Sequence, residues 1–279
     1  MKSALILLLP VLVFPLWIVS SEFGTLEVIY ELLKDSGAAS LAALSVDDPE
    51  IISILNGKNR WIVTEYPSPL GGKTDTSEGL FHAKFAILDN AVVFGSMNFT
   101  ERSLREDLND AIVFEERCAV EFFTSLMDSL WYGLPIPRSW KCSFGEFHVS
   151  PVEDLERVVM RLLEDAKERV EIAVYAFTDM NVFGALKYLT SKGIRVRIAV
   201  DEWSRSWILK HPTGPLEVKV IEGRTLHHKF MIVDGKVLIT GSANFTESAF
   251  RKNLEVVFVS RDGDIIRAYE EIFDELWGW

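Results

Sequence analysis

Cysteine is nearly absent: the 279 residues hold two, Cys118 and Cys142. No C-x-x-C pair or Cys/His cluster occurs, which argues against a structural zinc centre. An exported chain would allow the two to bridge, whereas isolated thiols serve as small core residues. Positive charge is also scarce. Lys and Arg number 29 against 41 Asp and Glu, for a net charge of −12. Such a chain lacks the basic footprint of a protein that grips polyanions indiscriminately, although a local basic cleft can sit inside an acidic shell.

Long apolar stretches are scarce too. One exists, over residues 4–19, preceded by Met1-Lys2 and followed by Ser20, Ser21 and Glu22. A short basic start, an apolar stretch of signal length and small residues after it are the pattern of an export signal. About 20 apolar residues are needed to span a bilayer, and this run is shorter and interrupted by Pro10 and Pro15. Residues 1–21 are therefore expected to be a signal peptide or an N-terminal anchor. Either places the remaining chain outside the cytosol, secreted or tethered to a membrane.

What the sequence does contain is a repeat. Phe81-His82-Ala83-Lys84 through Asp89 recurs as Leu226-His227-His228-Lys229 through Asp234. Gly95-Ser96-Met97-Asn98-Phe99-Thr100-Glu101 recurs as Gly241-Ser242-Ala243-Asn244-Phe245-Thr246-Glu247. Upstream of each copy, helical apolar spacing at residues 26–33 and 155–163 precedes strand candidates at 40–46 and 170–177. Second helices follow at 49–55 and 181–191, then strands at 60–66 and 194–200. The motif blocks predict strand pairs at 84–88 with 91–94 and 229–233 with 236–240, joined by tight turns at Asp89-Asn90 and Asp234-Gly235. Helices at 119–131 and 264–277 close the halves. This alternation predicts an α/β fold of two similar halves, each a mixed β-sheet flanked by helices. The expected boundaries are 22–135 and 151–279, with residues 136–150 as a linker. A pseudo-twofold pair with its active site at the interface is the arrangement such duplication predicts.

The duplicated H-x-K-x4-D blocks resemble the phospholipase D superfamily of HKD phosphodiesterases, over roughly residues 26–277. That family includes phospholipases D, cardiolipin synthases and hydrolases, small bacterial endonucleases and tyrosyl-DNA phosphodiesterase. The resemblance implies hydrolysis of a phosphodiester, a phospholipid or a nucleic acid, through a covalent phosphohistidine, without a cofactor or metal. The residue types suit that task. A neutral imidazole attacks an anionic diester without charge repulsion. Lys84 and Lys229 supply a positive field, while Ser96, Asn98, Ser242 and Asn244 can donate to the non-bridging oxygens. One of His82 and His227 attacks phosphorus and the other protonates the leaving alkoxide. Both copies lie in one chain, so a monomer is expected to suffice.

On a strand, the two-residue spacing puts the histidine and lysine of H-x-K on one face. That selects His227 as the partner of Lys229 and makes His228 a packing or polar-network residue. Asp89 and Asp234, at strand ends, are assigned structural roles, and Asp107 and Asn253 supporting ones. Eleven residues past Asn98 stands Asn109, and eleven past Asn244 stands Glu255. In the family this position orients the catalytic imidazole. A carboxylate there favours imidazolium and an amide does not. His82 is accordingly expected to start neutral as the nucleophile and His227 protonated as the acid, unless Asp107 or Asp110 supplies a carboxylate in the first half. Trp203, Arg205, Trp207, Lys210 and His211 interleave aromatic and basic groups before the second motif, fit for bases or lipid head groups or for plain packing. The two N-F-T triplets match a glycosylation sequon, but asparagines needed in a site are poor acceptors.

Overall fold

The computed structural model describes residues 16–21, 27–58 and 60–278. The chain divides into two units at Pro137/Arg138. In the first, β1 (Leu16–Ser20), α1 (Val28–Asp35), β2 (Ser40–Ala43), α2 (Pro49–Leu55), β3 (Ile62–Thr64) and β4 (Lys73–Thr74) precede the motif. The motif strands β5 (Phe85–Ile87) and β6 (Val92–Gly95) follow, then α3 (Glu101–Arg105), β7 (Asp110–Phe114) and α4 (Arg117–Tyr132). The sheet order is β1-β7-β6-β5-β2-β3-β4. Strands β2, β3 and β4 pair in parallel and the rest antiparallel.

The second unit runs β8 (Ser139–Cys142), β9 (Gly145–Ser150), α5 (Leu155–Glu164), β10 (Arg169–Val174), α6 (Met180–Ser191) and β11 (Arg195–Asp201). A 3-10 turn (Glu202–Ser204), α7 (Arg205–Lys210), β12 (Glu217–Ile221), β13 (Lys229–Val233) and β14 (Val237–Gly241) come next. It closes with α8 (Glu247–Arg251), β15 (Glu255–Ser260) and α9 (Gly263–Gly278). The order β12-β11-β10-β13-β14-β15-β9-β8 repeats the first sheet and adds β8 at one edge.

Each sheet is a buried layer because its strands carry apolar residues on both faces. In β5, Phe85 points to Phe123 of α4 while Ala86 joins the core under α1 and α2. In β13, Phe230 meets Tyr269 of α9 and Met231 joins the core under α5 and α6. Local chemistry starts the helices. Asp48 and Asp179 accept N–H bonds as N-caps, and Pro49 takes the first position of α2, where no N–H is needed. Thr100 and Thr246 cap α3 and α8 through Ser103 and Ala249 N–H, so the threonine of N-F-T has a folding reason.

Three boundaries differ from expectation. Residues 139–150, expected as a linker, form the β8–β9 hairpin of the second sheet. Leu16–Ser20, inside the expected leader, pairs antiparallel with β7 as β9 pairs with β15. The strands β7 and β15 were absent from the sequence reading, although continuous apolar runs (DAIVF and EVVFVS) mark them. The rest of the expected leader, residues 1–15, lies outside the described residues. Among the described residues no helix is long and apolar enough to cross a membrane.

Candidate active site

In each half the motif histidine lies just ahead of a central strand rather than within it, since β5 begins at Phe85 and β13 at Lys229. His82 is buried and His227 half-buried. The lysine two residues on turns back: Lys84 Nζ donates to the His82 carbonyl at 2.6 Å, and Lys229 Nζ to the His227 carbonyl at 2.5 Å. Both lysines are almost wholly buried. A buried ammonium is costly unless satisfied, so a backbone acceptor holds the head group while leaving it other donors. His228 is fully buried with its ring edge-on to Phe230, so its side chain belongs to the packing.

A carboxylate fixes the residue before each histidine. Glu65 Oε2 accepts from Phe81 N–H at 2.7 Å, and Asp201 Oδ2 from Leu226 N–H at 2.9 Å. The sequence reading missed this pair. Its signal was an acidic residue at the end of the strand preceding each motif.

In each half, the serine that follows β6 or β14 is fully buried. Ser96 Oγ donates to Asn109 Oδ1 at 3.0 Å, and Ser242 Oγ to Glu255 Oε2 at 2.6 Å. Each hydroxyl also accepts a backbone N–H, from Asp110 or Val256. These hydroxyls, expected on the phosphate oxygens, instead donate to Asn109 and Glu255. Gly95 makes the approach possible, because a Cβ there would collide with the Asp110 carbonyl. Asn109 also donates its amide to Ser103 O and Oγ at 2.9 and 3.2 Å. Glu255 instead accepts from Asn253 Nδ2 at 3.2 Å. Asp107 pairs with Arg102 at 3.3 Å, and Asp110 lies buried in β7. Asn244 Oδ1 accepts from Ala176 N–H at 3.1 Å, whereas Asn98 Oδ1 is buried without a hydrogen bond.

The motif aspartates act at the opposite ends of their strands. Asp89 accepts from Gly37 and Ala38 N–H at 2.6 and 3.0 Å, and these bonds hold its carboxyl below its usual range. Burial works to raise the Asp234 carboxyl, but N–H bonds from Arg169, Glu168 and Lys167, each under 3 Å, keep it low. Each aspartate staples its hairpin turn to the loop before the neighbouring strand.

The second half carries an aromatic wall of Trp203, which the sequence singled out, and Tyr175, which it did not. The Tyr175 ring lies 5.5 Å from His227 and 5.8 Å from Lys229 Nζ. Trp203 stacks on Tyr175 at 5.7 Å and stays 54% exposed. Of the interleaved aromatic and basic residues, Trp207 turns inward onto Phe177 and Phe183 and stacks with His211. Arg205 pairs with Glu222. In the first half Leu44 occupies the place of Tyr175, since Ala42 pairs with Phe85 as Ala173 pairs with Phe230. Among the described residues no group of three or more His, Cys, Asp or Glu converges to hold a metal ion.

Comparison with known proteins places the chain in a family. A family described as "Cardiolipin synthase, PLD-like domain" matches residues 47–131 and 159–277. A mitochondrial cardiolipin hydrolase of Xenopus laevis is 33% identical over 127 residues, covering 43% of this chain and 60% of that protein. A phospholipase D of Rickettsia typhi is 26% identical over 161 residues, covering 53% of this chain and 78% of its own length. The chain thus spans about 60% of the length of the cardiolipin hydrolase it matches. The fold matches phosphatidylserine synthase of Haemophilus influenzae with a TM-score of 0.72 at 12% identity, over 94% of this chain and 86% of that one. At that identity the likeness speaks for the fold alone.

Proposed function

Because the chain belongs to the family of PLD-like domains of the cardiolipin synthase type, we propose that it is a phosphodiesterase that hydrolyses a phospholipid through a phosphohistidine. The observation that carries this is the duplicated set: in each half a buried lysine is held at the carbonyl of the motif histidine, and a buried serine holds Asn109 or Glu255. Neither half alone supplies both an attacking and a protonating imidazole, so this reaction needs His82 and His227 together.

In this reading a neutral His82 attacks phosphorus and the bond to the leaving alkoxide breaks. His227 gives that alkoxide its proton. The now neutral His227 then takes a proton from water, whose oxygen attacks the phosphohistidine. A phosphate monoester leaves, and both histidines return to their starting states. The lysines offset the charge that builds on the phosphoryl oxygens, the task a metal performs elsewhere. The split of roles rests on Glu255, a fully buried carboxylate that favours a cation nearby, against the neutral Asn109.

Lipid is favoured over nucleic acid by the scarcity of positive charge and by the names of the cardiolipin hydrolase and phospholipase D relatives. The apolar run at residues 4–19 supports an extracytoplasmic, membrane-tethered body. The Leu16–Ser20 strand favours an anchor that is kept, since cleavage near Ser21 would remove that strand from its sheet. The decisive assay incubates the full chain in EDTA with phospholipid vesicles, plasmid DNA, single-stranded DNA and RNA. Release of phosphatidic acid that is lost in His82→Ala is the expected result. Loss of all activity in EDTA would sink the metal-free mechanism, and cleavage of nucleic acid alone would move the substrate.

A further inference from the structure

The segment between β11 and β12 has a feature that catalysis does not use. Helix α7 is pinned to the second half on its inner side. Trp207 packs on Phe177 and Phe183 at 5.7 and 5.2 Å, and Ser204 Oγ accepts from Phe177 N–H at 3.0 Å and donates to Tyr175 O at 2.9 Å. Two residues along a helix turn by about 200°, so Leu209 points away from the face that Trp207 buries. Leu209 is 79% exposed, the highest value among the large apolar side chains described. The neighbouring Lys210 is exposed. At the other end of the segment Trp203 is half-exposed while stacked on Tyr175, which touches His227.

A single exposed leucine is ordinary. An outward leucine on a pinned helix, followed by an exposed lysine and flanked by a half-exposed tryptophan at the rim of a catalytic residue, is a different arrangement. Leucine suits the acyl region, tryptophan the head-group level of a bilayer, and lysine the phosphates. We propose that the Trp203–Lys210 segment is the edge by which this protein docks on a phospholipid bilayer, with Leu209 inserted among the acyl chains and Trp203 at head-group depth beside His227. The choice of occupant rests on the phospholipid reading above. Charge is complementary only locally, where the exposed Lys210 can meet lipid phosphates. The net charge of −12 supplies no long-range attraction to an anionic bilayer, so apolar insertion must carry the binding. Binding of a nucleic-acid strand would instead weaken steeply with salt.

The test uses the full chain and vesicles of phosphatidylcholine containing cardiolipin. The apolar run at residues 4–19 can itself hold the chain on vesicles, so total binding is not the readout. In L209W, the emission added over wild type should shift to the blue and be quenched by lipids brominated in their acyl chains. In L209E, KM on vesicles should rise about tenfold, the penalty for losing one buried leucine. Hydrolysis of soluble bis(p-nitrophenyl) phosphate should stay unchanged. An added L209W emission that ignores brominated lipid, or an L209E enzyme that cleaves vesicles like wild type, overturns the docking. Quenching without any cleavage of lipid would leave the docking standing and remove the phospholipid reading. Quenching of Trp203 by single-stranded DNA while Leu209 ignores vesicles would overturn both.

Discussion

Eleven residues past the N-F-T asparagine, the first half carries Asn109 and the second Glu255, and each is held by the buried serine that follows β6 or β14. Around them the scaffold is the same: the same strand order, the same threonine-capped helix, the same carboxylate on the residue before the histidine. The immediate neighbours are not. Ser103 takes up the Asn109 amide, while the corresponding place in the second half is Ala249, and Asn253 turns to the Glu255 carboxylate instead. Leu44 likewise stands at the position that Tyr175 occupies in the second half. The two halves share what folding needs and differ in the side chains around Asn109 and Glu255, which is the difference the proposed split of proton-transfer roles uses.

The largest expected effect comes from the histidines. His82→Ala and His227→Ala should each lower turnover of a lipid diester by at least about 10²–10⁴-fold. They should differ on a p-nitrophenyl diester, whose leaving group needs no proton. His227→Ala should still release one burst of p-nitrophenolate and stall as the phosphohistidine, and His82→Ala should show no burst. A trapped phosphohistidine that maps to His227 would reverse the assignment.

A smaller effect tests the orienting pair. In the proposed split of roles the Glu255 carboxylate supports protonated His227, so Glu255→Gln should weaken that general acid. A general acid works below its pKa. The alkaline limb of the pH–rate profile should therefore move to lower pH, by on the order of one unit. Asn109→Asp should leave that limb in place. Equal shifts in the two variants would erase the functional asymmetry.

The smallest effect concerns the stapling aspartates. Asp234→Ala forfeits three backbone N–H bonds and Asp89→Ala two. The loss at Asp234 should be on the order of 1–2 kcal/mol and larger than at Asp89, read as the shift in thermal midpoint. Both carboxyls are held below their ordinary value in the folded state. Their stabilisation is therefore present above an unfolded pKa of about 4 and is lost as pH falls through the lower folded value. Variants lacking either aspartate should lose less stability than wild type on acidification.

Much of the site was legible because it lies in short contiguous motifs. The spacing that set His227 apart from His228 agrees with a half-exposed His227 and a fully buried His228. The structural role expected of Asp89 and Asp234 agrees with the staples they form. What stayed hidden was long-range. Nothing local in Glu65 or Asp201 says that a carboxylate will cap the residue before a histidine 17 or 26 positions later. Ser96 and Ser242 look like phosphate donors until β7 and β15 bring Asn109 and Glu255 against them. The β8–β9 hairpin reads as a linker because Gly133 to Pro137 is rich in chain breakers, while its register depends on β15, about a hundred residues downstream.

The duplicated H-x-K-x4-D motif, the helix–strand alternation and the scarcity of cysteine and positive charge were enough to determine an α/β protein of two PLD-like halves, because each is a property of residue type and spacing. Only the tertiary structure decided that the serines donate to Asn109 and Glu255, that Leu16–Ser20 is a strand of the first sheet, and that Tyr175 lies against His227 with Trp203 stacked on it. Those facts depend on which strands pair and on which residues face the same side. Pairing is set by burial across the whole sheet, not by any one segment.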